Sequence, residues 1–122
     1  MTEGTTTHEL PPERVAQLIE TGAAQVVDVR THEEREAAHV PNTAHIPIEA
    51  LEELAGEVLD RDRAVVLYCR SGDRSAVAAD AFRASGWDAG SMRGGIVAWQ
   101  ESGLPLEPED GEVVSPSGLP PK

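Results

Sequence analysis

Two stretches of this chain, AQVVDVR at 24–30 and RAVVLYC at 63–69, carry β-branched apolar runs with little of the polar alternation of a half-exposed strand. Strands of this kind are buried on both faces, so each needs a covering layer above and below it. The sequence supplies those layers. PPERVAQLIETG at 11–22 starts on proline, spaces Val15, Leu18 and Ile19 as a helix does, and closes on Gly22. IEALEELAGEVLD at 48–60 sets Leu51, Leu54, Ala55 and Val58 on one stripe, and SAVAADAFRASG at 75–86 does the same with Val77, Ala78, Ala81 and Phe82 before ending at Gly86. Between them, Thr31 can cap one or two helical turns over THEEREAA. Pro41 and Pro47 break helices around an extended piece at 44–46. WDAGSM reads as an edge strand and GGIVAWQESG as a short helix opened by two glycines, in which Trp99 packs onto the sheet while Trp87 covers an edge. Strands alternating with helices predict an α/β fold whose central, mostly parallel sheet is flanked by helices on both sides.

A chain of 122 residues, with 39% hydrophobic and 26% charged residues, fits one globular domain and is too short for two cores. The expected boundaries are a flexible N-terminus at 1–8, a domain at 9–106 and a Pro-rich flexible acidic tail at 107–122, where EPEDGEVVSPSGLPPK has no period. No apolar run approaches the roughly 20 residues of a bilayer span, and MTEGTTTHEL has neither basic head nor apolar stretch, so no secretory leader is expected. The net charge of −12, from 22 acids against 10 bases, repels phosphates and anionic membranes, so neither nucleic acid nor membrane is an expected partner. With a single cysteine the chain forms no internal disulfide, and a cytoplasmic location is the expectation.

That cysteine, Cys69, ends the second buried strand, where parallel sheets place their ligands. The helix starting near Ser75 aims its N-terminus back at the same point, and Gly72 frees the intervening CRSGDR to turn successive N–H groups inward. Helix N-termini and neighbouring arginines such as Arg70 and Arg74 favour thiolate over thiol, and thiolate is the nucleophile. The residues themselves therefore point to a reactive cysteine in an anion-binding loop.

CRSGDRS closely resembles the active-site loop of the rhodanese-like sulfurtransferases in their single-domain form. VVDVR with Glu34 behind it, AHVPNTAHIP and GGIVAWQESGLPL resemble the family's remaining signatures in the right order, over about 9–106. Three positions depart: Ala38 and Asn42 stand where the family prefers glycine, and Arg35 where an aromatic residue is common. The resemblance implies the rhodanese-like three-layer fold. It implies sulfur transfer from a small donor (thiosulfate or a persulfide), through a Cys69 persulfide, to an external thiol, cyanide or a protein acceptor, with no cofactor. In that chemistry Cys69 is the nucleophile, Arg70 and Arg74 hold the anionic part of the donor, Gly72 makes the turn, and Ser71, Asp73 and Ser75 contribute backbone donors. Asp28, Arg30 and Glu34 are expected to be structural, Arg30 pairing with Glu34 and Asp28 bonding backbone donors near the loop. Arg74 has an alternative role as a clamp on the loop.

Two other classes compete. Cysteine-dependent phosphatases and arsenate reductases place five residues between Cys and Arg, whereas Cys69 and Arg74 enclose four, a ring suited to one bound sulfur. The presence of Cys69 argues against a rhodanese-like module that only binds a partner, whereas a carrier of a persulfide for one protein would look the same and stays open. His39 and His45 lack further ligands at metal-binding spacing and are expected to stabilise turns, so no metal is expected.

Overall fold

A computed structural model describes residues 8–115. Its elements run β1 (Glu9–Leu10), α1 (Pro12–Thr21), β2 (Ala24–Asp28), α2 (His32–Ala37), β3 (Ala44–His45), a 3₁₀ turn (Ile48–Ala50), α3 (Leu51–Val58), β4 (Ala64–Tyr68), α4 (Asp73–Ala84), β5 (Ala89–Met92) and α5 (Gly95–Glu101). The strands form one five-stranded sheet in the order β1-β5-β4-β2-β3, every pairing parallel. No helix among the described residues is long and apolar enough to cross a membrane.

The two apolar strands are the sheet's interior, and their register aligns Ala24 with Ala64 through to Asp28 with Tyr68. Side chains alternate between faces along a strand. Val65, Leu67 and Cys69 therefore pack with Leu51 and Ala55 of α3 and Ala79 and Phe82 of α4, while Val66 and Tyr68 pack with Val15 of α1 and Ile96 and Trp99 of α5. The helices stop where the chemistry says they should. Gly22 adopts the left-handed conformation that closes α1, and Thr31 and Glu34 form a reciprocal cap at the start of α2.

Four expectations change. Val58 and Val77 are exposed, because the buried stripe of α3 runs through Leu51, Ala55 and the following Leu59, and that of α4 through Ser75, Ala78, Ala79 and Phe82. The strand at 89–92 is interior rather than an edge, since Glu9 and Leu10 pair with Ser91 and Met92. A two-residue strand carries no period to read. Trp87 is accordingly buried against Phe82, their rings 5.2 Å apart, rather than laid over an edge. The chain also remains on the body after Leu106: His39 and Glu107 exchange two backbone hydrogen bonds of 2.9 Å, Gly111 packs beside Ala37, and Val113 and Val114 are buried. Two adjacent valines in a proline-rich stretch make no pattern, yet they bury apolar area like any others. The rest of the expected tail, and nearly all of the expected flexible N-terminus, fall outside the described residues.

Candidate active site

β4 delivers Cys69 to the carboxyl edge of the sheet, and the loop from 70 to 72 turns the chain into α4. Gly72 has φ of 102°, a conformation in which most side chains are strained. That turn aims its own N–H at Sγ of Cys69 over 3.1 Å, and Ser75 in the first turn of α4 aims a second over 3.4 Å. Sγ thus lies at the positive end of a helix, inside hydrogen-bond donors that suit a sulfur anion. The amides of Ser71 and Asp73, expected to contribute, make no bond to sulfur, and both residues are exposed. The Ser75 hydroxyl instead donates to the carbonyl of Gly72 over 3.3 Å and ties the turn to the helix.

A second helix holds the loop from below. Ile96 donates its N–H to the carbonyl of Cys69 over 2.9 Å, and Val97 to that of Arg70 over 3.1 Å. A Cβ at Gly95 would overlap the carbonyls of both Cys69 and Arg70, so this helix approaches only because the side chain is absent. In the sequence the two glycines mark only a helix opening, and the close approach itself is not visible there. Glycines that open a helix one strand away from a cysteine loop were the available signal.

The two arginines of the loop differ. Arg74 donates from Nη2 to Oε2 of Glu34 over 3.4 Å, which makes it a clamp between α4 and α2. Arg70 is half-buried, and its Nε is covered yet has no hydrogen-bond partner among the described residues. A cation held in this way is free to meet an anion that the protein itself does not supply.

Beside the loop lies a buried ionic cluster whose pairing differs from expectation. Arg30 pairs with Asp28, donating from Nε to Oδ1 over 2.9 Å and from Nη2 to Oδ2 over 2.8 Å, and also from Nη2 to the carbonyl of Ala38 over 2.7 Å. Glu34 turns away to its own cap, accepting from Thr31 N at 3.0 Å, and to Arg74. Two residues along an extended chain share a face, so Asp28 and Arg30 meet without crossing the loop. The hydroxyl of Tyr68 donates to Asp28 over 3.0 Å and accepts from Val40 N over 3.0 Å. Burial alone would raise the Asp28 carboxyl, but the paired guanidinium outweighs it and holds the group below its ordinary range. Burial likewise works to lower Arg30, and the Asp28 carboxylate more than restores it. Burial, reinforced by the Asp28 charge, pushes the Tyr68 phenol up to about 12.

The departures noted in the sequence are accommodated. Asn42 takes φ of 63°, Ala38 is buried with its carbonyl on Arg30, and Arg35 reaches Thr43 Oγ1 over 3.0 Å. His45 Nε2 lies 2.8 Å from the carbonyl of Arg30, and His39 Nδ1 lies 3.1 Å from that of Arg35, both in turn-supporting positions. Among the described residues no group of three or more His, Cys, Asp or Glu side chains is placed to hold a metal.

Known proteins are similar to this chain in sequence and in fold. A sulfurtransferase of Allochromatium vinosum is 34% identical over 106 residues, spanning 85% of this chain and 98% of its own. The HTH-type transcriptional regulator Rv0324 of Mycobacterium tuberculosis is 38% identical over 91 residues, covering 72% of this chain but only 39% of the regulator. The crystal structure of a rhodanese-related protein from Thermoplasma volcanium superposes with a TM-score of 0.74 at 30% identity, covering 82% of this chain and 97% of that one. Residues 11–102 match the model of the rhodanese-like domain. With the cysteine loop, the helix aimed at it and the parallel sheet beneath all in place, this chain belongs to the rhodanese-like domain family.

Proposed function

We propose that the protein is a sulfurtransferase that moves sulfane sulfur through a persulfide on Cys69. The observation that carries this reading is the pair of N–H groups, from Gly72 and Ser75, directed at Sγ. They stabilise a thiolate, and equally the persulfide anion that replaces it. In the first half-reaction the thiolate attacks the outer sulfur of thiosulfate, an S–S bond forms, the donor's own S–S bond breaks, and sulfite leaves with the electron pair. In the second, an external thiolate or cyanide attacks the outer persulfide sulfur and releases the Cys69 thiolate. Arg70 holds the anionic end of the donor, and its unpartnered Nε supports that role. Because the chain has no second cysteine, no internal thiol resolves the persulfide and turnover requires an added acceptor.

Intact-mass measurement after incubation with thiosulfate tests the reading. The expected result is a gain of one sulfur in the wild type and none in Cys69→Ser, with thiocyanate formed only when cyanide is added. Absence of both the adduct and thiocyanate would overturn it.

One observation favours a second reading. Cys69 is fully buried, so a donor reaches Sγ only if the atoms that cover it move. A carrier that a protein partner loads and unloads meets this requirement, the partner supplying the energy to open the loop. Loading by a protein persulfide but not by thiosulfate distinguishes the carrier from the enzyme.

A further inference from the structure

On the sheet face that holds Cys69, an open groove of about 610 Å³ runs between α3 and α4, lined by Ile48, Leu51 and Ala55 on one side, Val77 and Phe82 on the other, and Trp87. Its lining is mostly apolar, with Glu52, Arg61 and Ser85 at its margins, and Val77 stands 71% exposed in it, a branched side chain with nothing packed over it. The groove has a direction. Ile48 donates its N–H to the carbonyl of Val29, at the carboxyl edge of the sheet, and Ala78 lies one turn along α4 from Ser75, whose N–H meets Sγ. That end is the one nearer the cysteine loop in the chain, although no residue of 69–75 lines the groove. At the other end Arg61 closes the groove, its guanidinium stacked 4.8 Å above the Trp87 ring and bonded to the carbonyl of Ser85.

Apart from Arg61 at that far end, the charge along the α3 side of the groove is acidic. Glu49, Glu52, Glu53 and Glu57 project from α3 and the turn before it, all exposed and none paired with a cation among the described residues. On α4 the basic Arg83 is already engaged by Asp80 and by the carbonyl of Ala89. We infer that this groove docks a basic amphipathic helix of a partner protein, which brings the partner's thiol to Cys69. The apolar floor takes the helix's leucine-like stripe, and the four glutamates take its flanking lysines or arginines, as in helix-in-groove recognition. From Val77 to Ser85 the α4 wall is about 12 Å long at 1.5 Å per residue, enough for two turns of the guest. A second copy of this chain fits poorly, since each copy carries a net charge of −12 and would bring acid to acid.

The inference rests on the persulfide reading for its purpose but not for its test. The probe is a labelled peptide of about 12 residues, or three turns, with leucines at helical spacing, lysine flanks and one terminal cysteine. A glutamate-flanked twin serves as control. Anisotropy is expected to show the lysine peptide binding the full chain, more weakly as salt rises, and the twin not binding. Val77→Glu, which alters an exposed side chain outside the loop, is expected to weaken binding by about tenfold or more, and the pair Glu52→Gln with Glu53→Gln to remove much of the salt dependence. Cyanide-dependent turnover should be the same in all of these variants. Equal binding of both peptides, or binding indifferent to Val77→Glu, overturns the docking site even where turnover is normal. Normal docking without any persulfide on Cys69 overturns the transfer chemistry and leaves the docking site standing. Sedimentation showing a dimer that Val77→Glu dissociates assigns the groove to a second copy and also overturns the inference. With both intact, sulfur should pass to the lysine peptide about tenfold or more faster than to glutathione at equal concentration, an advantage that Val77→Glu removes.

Discussion

Arg30 and Arg70 occupy equivalent places on neighbouring strands and meet opposite fates. β2 and β4 are paired with Asp28 opposite Tyr68, so each arginine lies two residues beyond its strand at the same edge of the sheet, with a helix starting soon after. Two residues before Arg30 stands a carboxylate that takes up its guanidinium. Two residues before Arg70 stands Tyr68, whose hydroxyl is spent on Asp28 and Val40. One arginine is sealed into the scaffold by an anion the chain supplies. The other has no carboxylate among the described residues to take up its guanidinium; a covered nitrogen without a partner is common to both, Nη1 in Arg30 and Nε in Arg70. The same position on a parallel sheet is closed by an ion pair or left without one according to whether the strand carries its own counter-ion.

The comparison breaks hardest at Asp28. Asp28→Ala leaves the Arg30 guanidinium buried without its partner, and removing one member of a buried pair costs about 3–5 kcal/mol. Chemical denaturation is expected to show that loss, with Asp28→Asn falling between. The same pair gives an acid limb: because the Asp28 carboxyl is held below its ordinary range when folded, its contribution is complete above the unfolded value and disappears as pH falls through the folded one. Tyr68 gives the alkaline limb with the opposite sign. With its phenol raised from 10.0 to about 12, the folded protein keeps a proton that the unfolded chain has released. Stability is expected to fall by on the order of 2–3 kcal/mol between roughly pH 10 and 12. Denaturation midpoints measured across that range check it, and Tyr68→Phe should flatten the slope there.

Much of this was legible in the chain. The β-branched runs at 24–30 and 63–69 named the central strands, because a strand buried on both faces leaves no other placement. Cys69, Gly72 and the start of α4 could be placed from a strand end, a glycine and a helical stripe, all local signals. What escaped was non-local or too short to be periodic. Glu9 and Leu10 form a strand only because β5 offers an edge, and Val113 and Val114 stay folded only because the body offers an apolar surface. The partner of Arg30 escaped for a different reason. Asp28 and Glu34 are both within reach along the sequence, and only the extended backbone from 28 to 30, with α2 capped by its own Glu34, decides between them.

The smallest expected effect is the most informative about the comparison, because it asks whether Arg70 is open for a purpose. Arg70→Ala removes a side chain that pairs with no group among the described residues, so the unfolding midpoint should move by no more than about 0.5 kcal/mol. Its expected signature is kinetic: about a tenfold rise in KM for thiosulfate, equivalent to roughly 1.4 kcal/mol, with little change at saturating donor and none in the dependence on cyanide. Arg70→Lys should recover part of the loss, since an ammonium keeps the charge but not the planar fork that grips an oxyanion. Arg74→Ala is the control with the reverse pattern, because it strips a partner from buried Glu34 and so should register in stability before it registers in KM. If both alanine variants destabilise the fold alike and neither changes KM, Arg70 is scaffold as Arg30 is, and the donor's charge must be met by the backbone amides at Sγ alone.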